Sequence, residues 1–325
     1  MTSSSVLVVG AGISGLACAR ALTDRGIPVR VVDRARAVGG RLASKRLGGR
    51  VVDLGARYFT VPPDSAFELV VADWTTRGLV RPWTDTFQAV EFAPDGAAAP
   101  SRQRKQGPVR HSAPAGLRSL ATDLAERLAA DGVPIDLETP IDAVGDDGRV
   151  AGAAYDAVVL AMPDPQASRL VADGSPLGRL LGTDGWEPAL AVTIGWAERH
   201  WPRDLHGVFV GGSGVLAFVA DDGDRRGDGA PVLVAHTTAA FARAHLEHPE
   251  TAVEDVVDAV RALLGIDAAP IEAYVHRWSF ANPGTQHPEP FGRRGRLAVC
   301  GDAWGERSSV STAWASGDAL GRALP

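Results

Sequence analysis

Residues 6–33 read VLVVGAGISGLACARALTDRGIPVRVVD, two apolar runs with a glycine-punctuated segment between them. Val6 to Val9 is short, uniformly apolar and ends at Gly10, the pattern of a strand buried on both faces. From Ile13 to Arg25 the apolar positions recur at helical spacing, and Gly26 stops the helix. Val29 to Val32 is a second buried strand, ended by Asp33. The result is one βαβ unit with Gly10-x-Gly12-x-x-Gly15 in the turn from strand to helix. Gly10 permits the tight turn, Gly12 lets the backbone approach a diphosphate, and Gly15 lets helix and strand pack closely. Exposed N–H groups at the positive end of the helix then hold the anion. Asp33 follows Gly15 by 18 residues, where its carboxylate accepts hydrogen bonds from a ribose hydroxyl. This is a Rossmann-type α/β fold.

The chain around this unit has 325 residues, room for about two domains, and is 45% hydrophobic, enough to bury a real core. A formal net charge of −6 argues against a nucleic-acid partner, which needs a basic face. The basic residues are almost all arginine; Lys45 and Lys105 are the only lysines. Cys18 and Cys300 form neither a CxxC pair nor a disulfide framework and read as small buried apolar residues. Met1 to Ser5 is too short and polar for a signal peptide, and no run approaches the roughly 18 apolar residues that span a bilayer. A cytoplasmic protein without membrane contact is expected. No metal is expected either, because Asp221, Asp222 and Asp224 lack EF-hand spacing and its closing Glu.

Residues 34–60 are rich in glycine and arginine, with short strands around Arg50 to Leu54. Val61 to Pro108 carries Pro62, Pro63, Pro82, Pro94 and Pro100 beside Trp74, Trp83 and Phe87, and reads as an excursion into another domain. Ala115 to Ala130 is an amphipathic helix, with Leu117, Leu120, Leu124 and Leu128 on one face. Ile135–Leu137, Ile141–Val144 and Tyr155–Ala161 read as strands. From 166 to 290 the pattern changes. Leu190–Trp196, Val208–Val210, Val215–Val219 and Val232–Thr237 read as antiparallel sheet, and Glu250–Leu264 as an amphipathic helix. Gly211–Gly214 is a turn, and Asp221–Gly229 (DDGDRRGDG) a solvated turn or mobile loop. Arg296–Cys300 returns to buried strand and Ser311–Leu324 to a final helix. The predicted division places 1–60, 110–165 and 292–325 in the dinucleotide-binding domain. Residues 61–109 and 166–291 then form an interleaved α+β substrate domain built on an antiparallel sheet.

Three further segments choose the dinucleotide. Gly39-Gly40-Arg41 follows Asp33, and Asp53-Leu54-Gly55-Ala56 follows that. Leu297-Ala-Val-Cys-Gly301-Asp302 precedes Ser308–Gly317 (SSVSTAWASG). In this order they resemble the flavin amine oxidase superfamily, with its glutathione-reductase-2-like FAD domain. The resemblance implies FAD, held non-covalently since neither cysteine is suitably placed for attachment. It implies that the GGR stretch approaches the diphosphate, the DLGA stretch the flavin ring, and Asp302 the ribityl chain or a phosphate. The last helix would aim its N-terminus at the flavin N1–C2=O edge, where reduced flavin carries negative charge. The implied cofactor set is Gly10, Gly12, Ile13, Ser14, Gly15, Asp33, Arg34, Gly40, Arg41, Gly55, Ala56, Arg57, Tyr58, Ile141, Asp302, Ser311 and Thr312.

Within that superfamily, DLGARYFT (Asp53–Thr60), VAHT (Val234–Thr237) and YVHRWSFANP (Tyr274–Pro283) resemble renalase-like proteins. Phe218–Arg226 (FVADDGDRR) departs from them, lacking the Lys and Pro of their Ser-Lys-Pro-Gly-Arg-like stretch. The resemblance implies hydride transfer to flavin N5 from dihydropyridines, namely isomers of reduced nicotinamide dinucleotides, with dioxygen then giving hydrogen peroxide. Such donors need no general base, which suits a sequence without a convincing acid–base pair. The candidate catalytic residues are His236, Tyr58 and Trp278, with Arg57, Phe59 and Phe280 also in the pocket. Phe59 and Trp278 read equally well as core packing, and His236 either orients a carboxamide or satisfies a backbone group. His245, His248 and His287 are assigned to surface or packing. A flavin amine oxidase acting on a small amine is the first alternative. It is disfavoured because no Lys follows Lys105 to stand near flavin N5. A non-catalytic dinucleotide-binding module is the second. A missing CxxC argues against a disulfide reductase, and a missing second GxGxxG against a dedicated NADPH domain. The expected partners are a dihydronicotinamide or amine and dioxygen, with monomer and homodimer both open.

Overall fold

The computed structural model describes residues 5–93 and 99–324, so Met1 to Ser4 and Pro94 lie outside the described residues. Two sheets organise the rest. The first has six strands in the order Gly292–Arg294, Leu297–Val299, Ala157–Leu160, Val6–Val9, Val29–Val32, Ile135–Asp136. All neighbours are parallel except the first pair, Gly292–Arg294 with Leu297–Val299. Val6–Val9 and Ala157–Leu160 are buried at every residue, as strands covered on both faces require.

The first helix, Ile13–Thr23, packs against Arg118–Ala130 and against the last helix, Val310–Ala323. Its contact with the last helix is backbone-close. A Cβ on Gly317 would collide with the Ser14 carbonyl oxygen, and one on Gly321 would lie 2.5 Å from the Cys18 oxygen. Leu16, Leu22, Leu120 and Leu320 are sealed in the same core, and each contributes about 1.5–3 kcal/mol by its burial. Distant ends of the polypeptide are thereby fixed against each other. Cys18 and Cys300 are free and buried here, and burial pushes the Cys300 thiol up to about 12.

The second sheet has seven strands in the order Glu272–Asn282, Glu187–Gly195, Val232–Thr237, Leu216–Asp221, Gly207–Gly211, Arg81–Glu91, Ser101–Ser112. One face packs on the helix Val253–Leu264, joining Ile194, Leu233 and Ala235 to Val256, Val260 and Leu263. The other face turns toward residues 44–58: Val232 and Val234 pack on Val52, and Phe218 meets Tyr58. Alternation along the strand places His236 on that same face.

Four expectations need correction. Val208–Val210 is antiparallel on one side only, since Gly207–Gly211 runs parallel to Arg81–Glu91. Ile141–Val144 forms no strand; it follows Pro140 and finds no partner beyond a single bridge from Val144 to Val171. The helix expected from Glu250 opens as a 3-10 turn, Pro249–Ala252, before Val253–Leu264. Most consequentially, Asp221–Arg226 is not a solvated loop, and only Gly227–Gly229 is an exposed turn. Asp222–Arg226 is a short helix whose N-cap, Asp221, accepts the Asp224 N–H at 2.9 Å, and Asp222 and Arg225 are fully buried. Burial succeeds because the charges are paired: Asp222 binds Arg225 and Arg50, and Asp221 binds Arg199.

Candidate functional site

Gly10 takes φ +117°, which an L side chain rarely adopts, and its N–H donates to the Val32 oxygen at 2.8 Å. Asp33 is locked onto this turn. Its carboxylate accepts the Ala11 N–H at 2.7 Å and the Ala35 N–H at 2.8 Å. A Cβ on Gly15 would collide with the Gly10 carbonyl, so this glycine sets how closely the helix approaches the strand. Gly12 differs. A Cβ there would meet no protein atom within 4 Å, and the helix that starts beside it has no side-chain cap. An open cradle against uncapped N–H groups fits a diphosphate. The Gly39 N–H donates to the Ala11 oxygen at 2.8 Å, which brings the GGR stretch alongside.

Arg41 reaches across 261 residues to Asp302 and pairs with both of its carboxylate oxygens; Ser308 donates to the same carboxylate. Ser309 caps the last helix, its Oγ accepting the Thr312 N–H at 3.0 Å and touching the Ser311 and Thr312 hydroxyls at 2.9 and 2.8 Å. Neither Ser308 nor Ser309 was singled out in the sequence, although a Ser before a helix is a recognisable cap signal. Ile13, Ser14 and Ser311 are buried in first helical turns, and Thr312 is half-buried. Gly40 is exposed and Arg34 is exposed on the loop after Asp33, while Ile141 packs with the core around Leu7 and Val9.

The DLGAR segment is gripped from the second sheet. Trp278 donates its indole N–H to the Leu54 oxygen at 2.7 Å, His236 Nε2 lies 3.1 Å from the Gly55 oxygen, and Arg225 donates to the Arg57 oxygen at 2.8 Å. From the other side the Ala56 N–H donates to the Arg41 oxygen at 2.9 Å. Buried Asp53 accepts Ser44 Oγ at 2.5 Å and the Leu117 N–H at 2.8 Å. Gly55, Ala56, Arg57 and Tyr58 are left half-buried, with their other surfaces open. The Tyr58 ring stands 5.4 Å from Phe87 and 6.2 Å from Phe218. The other two ring candidates differ in their surroundings, Phe280 lying next to the Trp186 ring that the Arg41 guanidinium overlies at 5.7 Å. Phe59 is core, stacked on His111 at 5.5 Å, and Phe280 packs on Trp186 at 6.2 Å. His287 is neither free surface nor simple packing: it stacks on Trp304 at 3.8 Å and binds buried Asp164 at 2.7 Å.

Because Gly55 offers an acceptor, His236 carries its proton on Nε2, while Nδ1 is buried with no partner among the described residues. Burial first, then the nearby Arg57 and Arg225, push its pKa well below 6.5, so the ring is neutral. Above pH 6.5 both folded and unfolded His236 are neutral and stability is unaffected. Below it the unfolded chain binds a proton that the folded chain refuses, and stability falls by up to ~1.4 kcal/mol per pH unit. His236→Gln is therefore expected to flatten the stability loss between about pH 7 and pH 5, read as urea midpoints at each pH. Parallel curves for the two proteins would contradict this.

A glycine cradle at a helix start, joined to a distant Gly-Asp turn and faced by a second sheet, defines a Rossmann-type dinucleotide-binding protein. The model of an NAD(P)-binding Rossmann-like domain matches residues 8–72, and that of flavin containing amine oxidoreductase matches residues 71–320. The chain belongs to the flavin-containing amine oxidoreductase family, and its cofactor is FAD. Curated relatives match over a short stretch. A hydroxyneurosporene desaturase of Rubrivivax gelatinosus is 45% identical over 56 residues, which are 17% of this chain and 11% of that protein. A phytoene desaturase of Rhodobacter capsulatus is 48% identical over 56 residues, again 17% and 11%. Solved structures match throughout. Cyclohexylamine oxidase from Brevibacterium oxydans superposes with a TM-score of 0.76 at 14% identity, covering 99% of this chain and 98% of that one. Putrescine oxidase bound to putrescine gives 0.72 at 16%, with 98% of each chain covered. At such identities the likeness is one of fold. Among the described residues no helix is long and apolar enough to cross a membrane, and no group of three or more His, Cys, Asp or Glu is placed to hold a metal.

Proposed function

We propose that the protein is a renalase-like, FAD-dependent oxidase that takes hydride from a dihydropyridine, an isomeric reduced nicotinamide dinucleotide, and passes the electrons to dioxygen as hydrogen peroxide. Bound FAD supplies the hydride acceptor at N5 and the reaction with dioxygen. In this reading residues 1–60, 110–165 and 292–325 hold FAD non-covalently, with Gly12, Asp33, Arg41, Ala56, Asp302 and Ser311 along it. Residues 61–109 and 166–291 then cover the substrate. Trp278 and His236 act as positioning residues, since their hydrogen bonds hold the Leu54 and Gly55 carbonyls, and Tyr58 lines the substrate side.

The reading is supported by the wall facing the 53–58 segment, which is built mainly of rings, with Phe218 and Trp278 beside Tyr58 and the DLGA segment and the half-buried His276 ring 4.5 Å from Trp278. His236 is kept from accepting a proton by its burial. Lys45 is exposed with its ammonium 3.9 Å above the Tyr274 ring, and Lys105 is exposed on its strand. A dihydropyridine becomes aromatic on losing hydride and leaves no proton for a base to take, so such a wall suffices. The alternative, oxidation of a small amine, draws support from the family and from the amine oxidases that share the fold. Rapid anaerobic mixing of the holoprotein with a panel of reduced nicotinamide isomers and amines separates the two. Bleaching of the yellow flavin by an isomer, and not by amines, is expected. Bleaching by amines alone would replace the proposal with its alternative, and a colourless protein that takes up no FAD would end both.

A further inference from the structure

We propose that Arg57 is the docking point for a negatively charged group, a carboxylate or a phosphate, on a ring-bearing substrate. This deepens the reading above and rests on its placement of the 53–58 segment beside the cofactor. Each of the arginines around Arg57 has a partner. Arg225 is spent on Asp222 and the Arg57 carbonyl, and Arg50 on Asp222 and Asp228. Arg226 donates to the Pro114 carbonyl at 2.6 Å and Arg110 to the Asp85 carbonyl at 2.6 Å. Among the described residues Arg57 alone of this group has no ion pair and donates no side-chain hydrogen bond. Its guanidinium lies 5.0 Å over the Phe218 ring, with Tyr58 beside it.

Two properties of the surroundings turn a spare arginine into a site. Arg57 sits deep enough for burial to lower its pKa, yet it is only half-buried, and its guanidinium nitrogens are not among the sealed, unpartnered polar atoms. Its free face therefore borders accessible space. A guanidinium removed from bulk water without a counter-charge is costly, and a carboxylate or phosphate matches its planar fork with two parallel hydrogen bonds. The neighbours supply ring contacts and no competing anion. Phe218 lies 5.2 Å from Phe209 and 6.5 Å from neutral His236, both tilted against it, so an aryl ring beside Arg57 meets an aromatic surface. A cationic amine placed there would meet Arg57 with nothing to offset the repulsion.

Titration of the FAD-loaded protein with four phenyl probes, followed by flavin absorbance, tests the assignment. Benzoate and phenyl phosphate carry the two anionic heads, benzamide a neutral one and benzylamine a cationic one. The tighter anion is expected to bind at least about tenfold better than benzamide, with benzylamine weakest; which anion is tighter identifies the head group. Arg57→Gln should lose about that factor for the anions and leave benzamide unchanged, and Arg57→Lys should recover part of it. Equal anion binding by wild type and Arg57→Gln at equal FAD content, or a preference for benzylamine, would overturn the assignment. If Arg57→Gln fails to fold, the wild-type probe order and Arg57→Lys decide. Should the nicotinamide isomers fail to bleach the flavin while the anion preference holds and vanishes in Arg57→Gln, the oxidase reading falls and this one stands. Bleaching without any anion preference is the reverse result.

Discussion

Gly12→Val is expected to yield a folded protein that has lost its yellow colour. At Gly12 the backbone is extended, φ −76° and ψ 174°, which valine adopts without strain, and a Cβ meets no protein atom within 4 Å. The fold should therefore keep its stability to within about 0.5 kcal/mol. The isopropyl group would occupy the cradle against the uncapped helix start, where the diphosphate needs backbone contact. A loss of at least a hundredfold in FAD affinity, about 2.7 kcal/mol, is expected, read as flavin absorbance against protein absorbance after gel filtration. Gly317→Val supplies the contrast. Its Cβ collides with the Ser14 backbone, so the two helices must separate and the protein should fail to fold. Full flavin content in Gly12→Val would mean that the cofactor lies elsewhere.

The second large effect is expected at a residue remote from the cradle in sequence. Asp222→Ala removes the carboxylate shared by Arg50 and Arg225 and leaves a fully buried guanidinium without its anion. Breaking a buried pair in this way costs about 3–5 kcal/mol, a large share of a typical total stability of about 5–15 kcal/mol. FAD retention should fall with it, because Arg225 also holds the Arg57 carbonyl at 2.8 Å. Asp204→Ala is the matched control. Its partner is Arg104 at 4.0 Å, both exposed, and such pairs contribute little. Urea midpoints should separate the variants plainly; equal midpoints would show that the buried pair is dispensable.

The βαβ unit was legible because its signals are local. Four apolar residues in a row, three glycines at fixed offsets and an acid at the next strand end need no information from elsewhere in the chain. The approach of Asp302 to the first motifs was legible for another reason: the GGR, DLGA and Gly-Asp stretches make sense together only around one ligand. Local composition misled at Asp221–Gly229. A run of Asp, Arg and Gly reads as solvated, and the residue that makes burial possible, Arg50, lies 172 positions from Asp222. His236 was half legible. A histidine on an apolar strand was visible, but its partner, the Gly55 carbonyl, is 181 residues away and shows only when the second sheet packs on residues 44–58. Ile141–Val144 failed for want of a partner, since apolar residues make a strand only where an edge is free to receive them.

The seam between Ser14 and Gly317 bears on how the molecule comes into being. During synthesis the segment 6–33 leaves the ribosome long before the helix that seals it, Val310–Ala323, and the strand Leu297–Val299 that extends its sheet. The six-stranded sheet therefore cannot close in the nascent chain until residues 297–323 have left the ribosome.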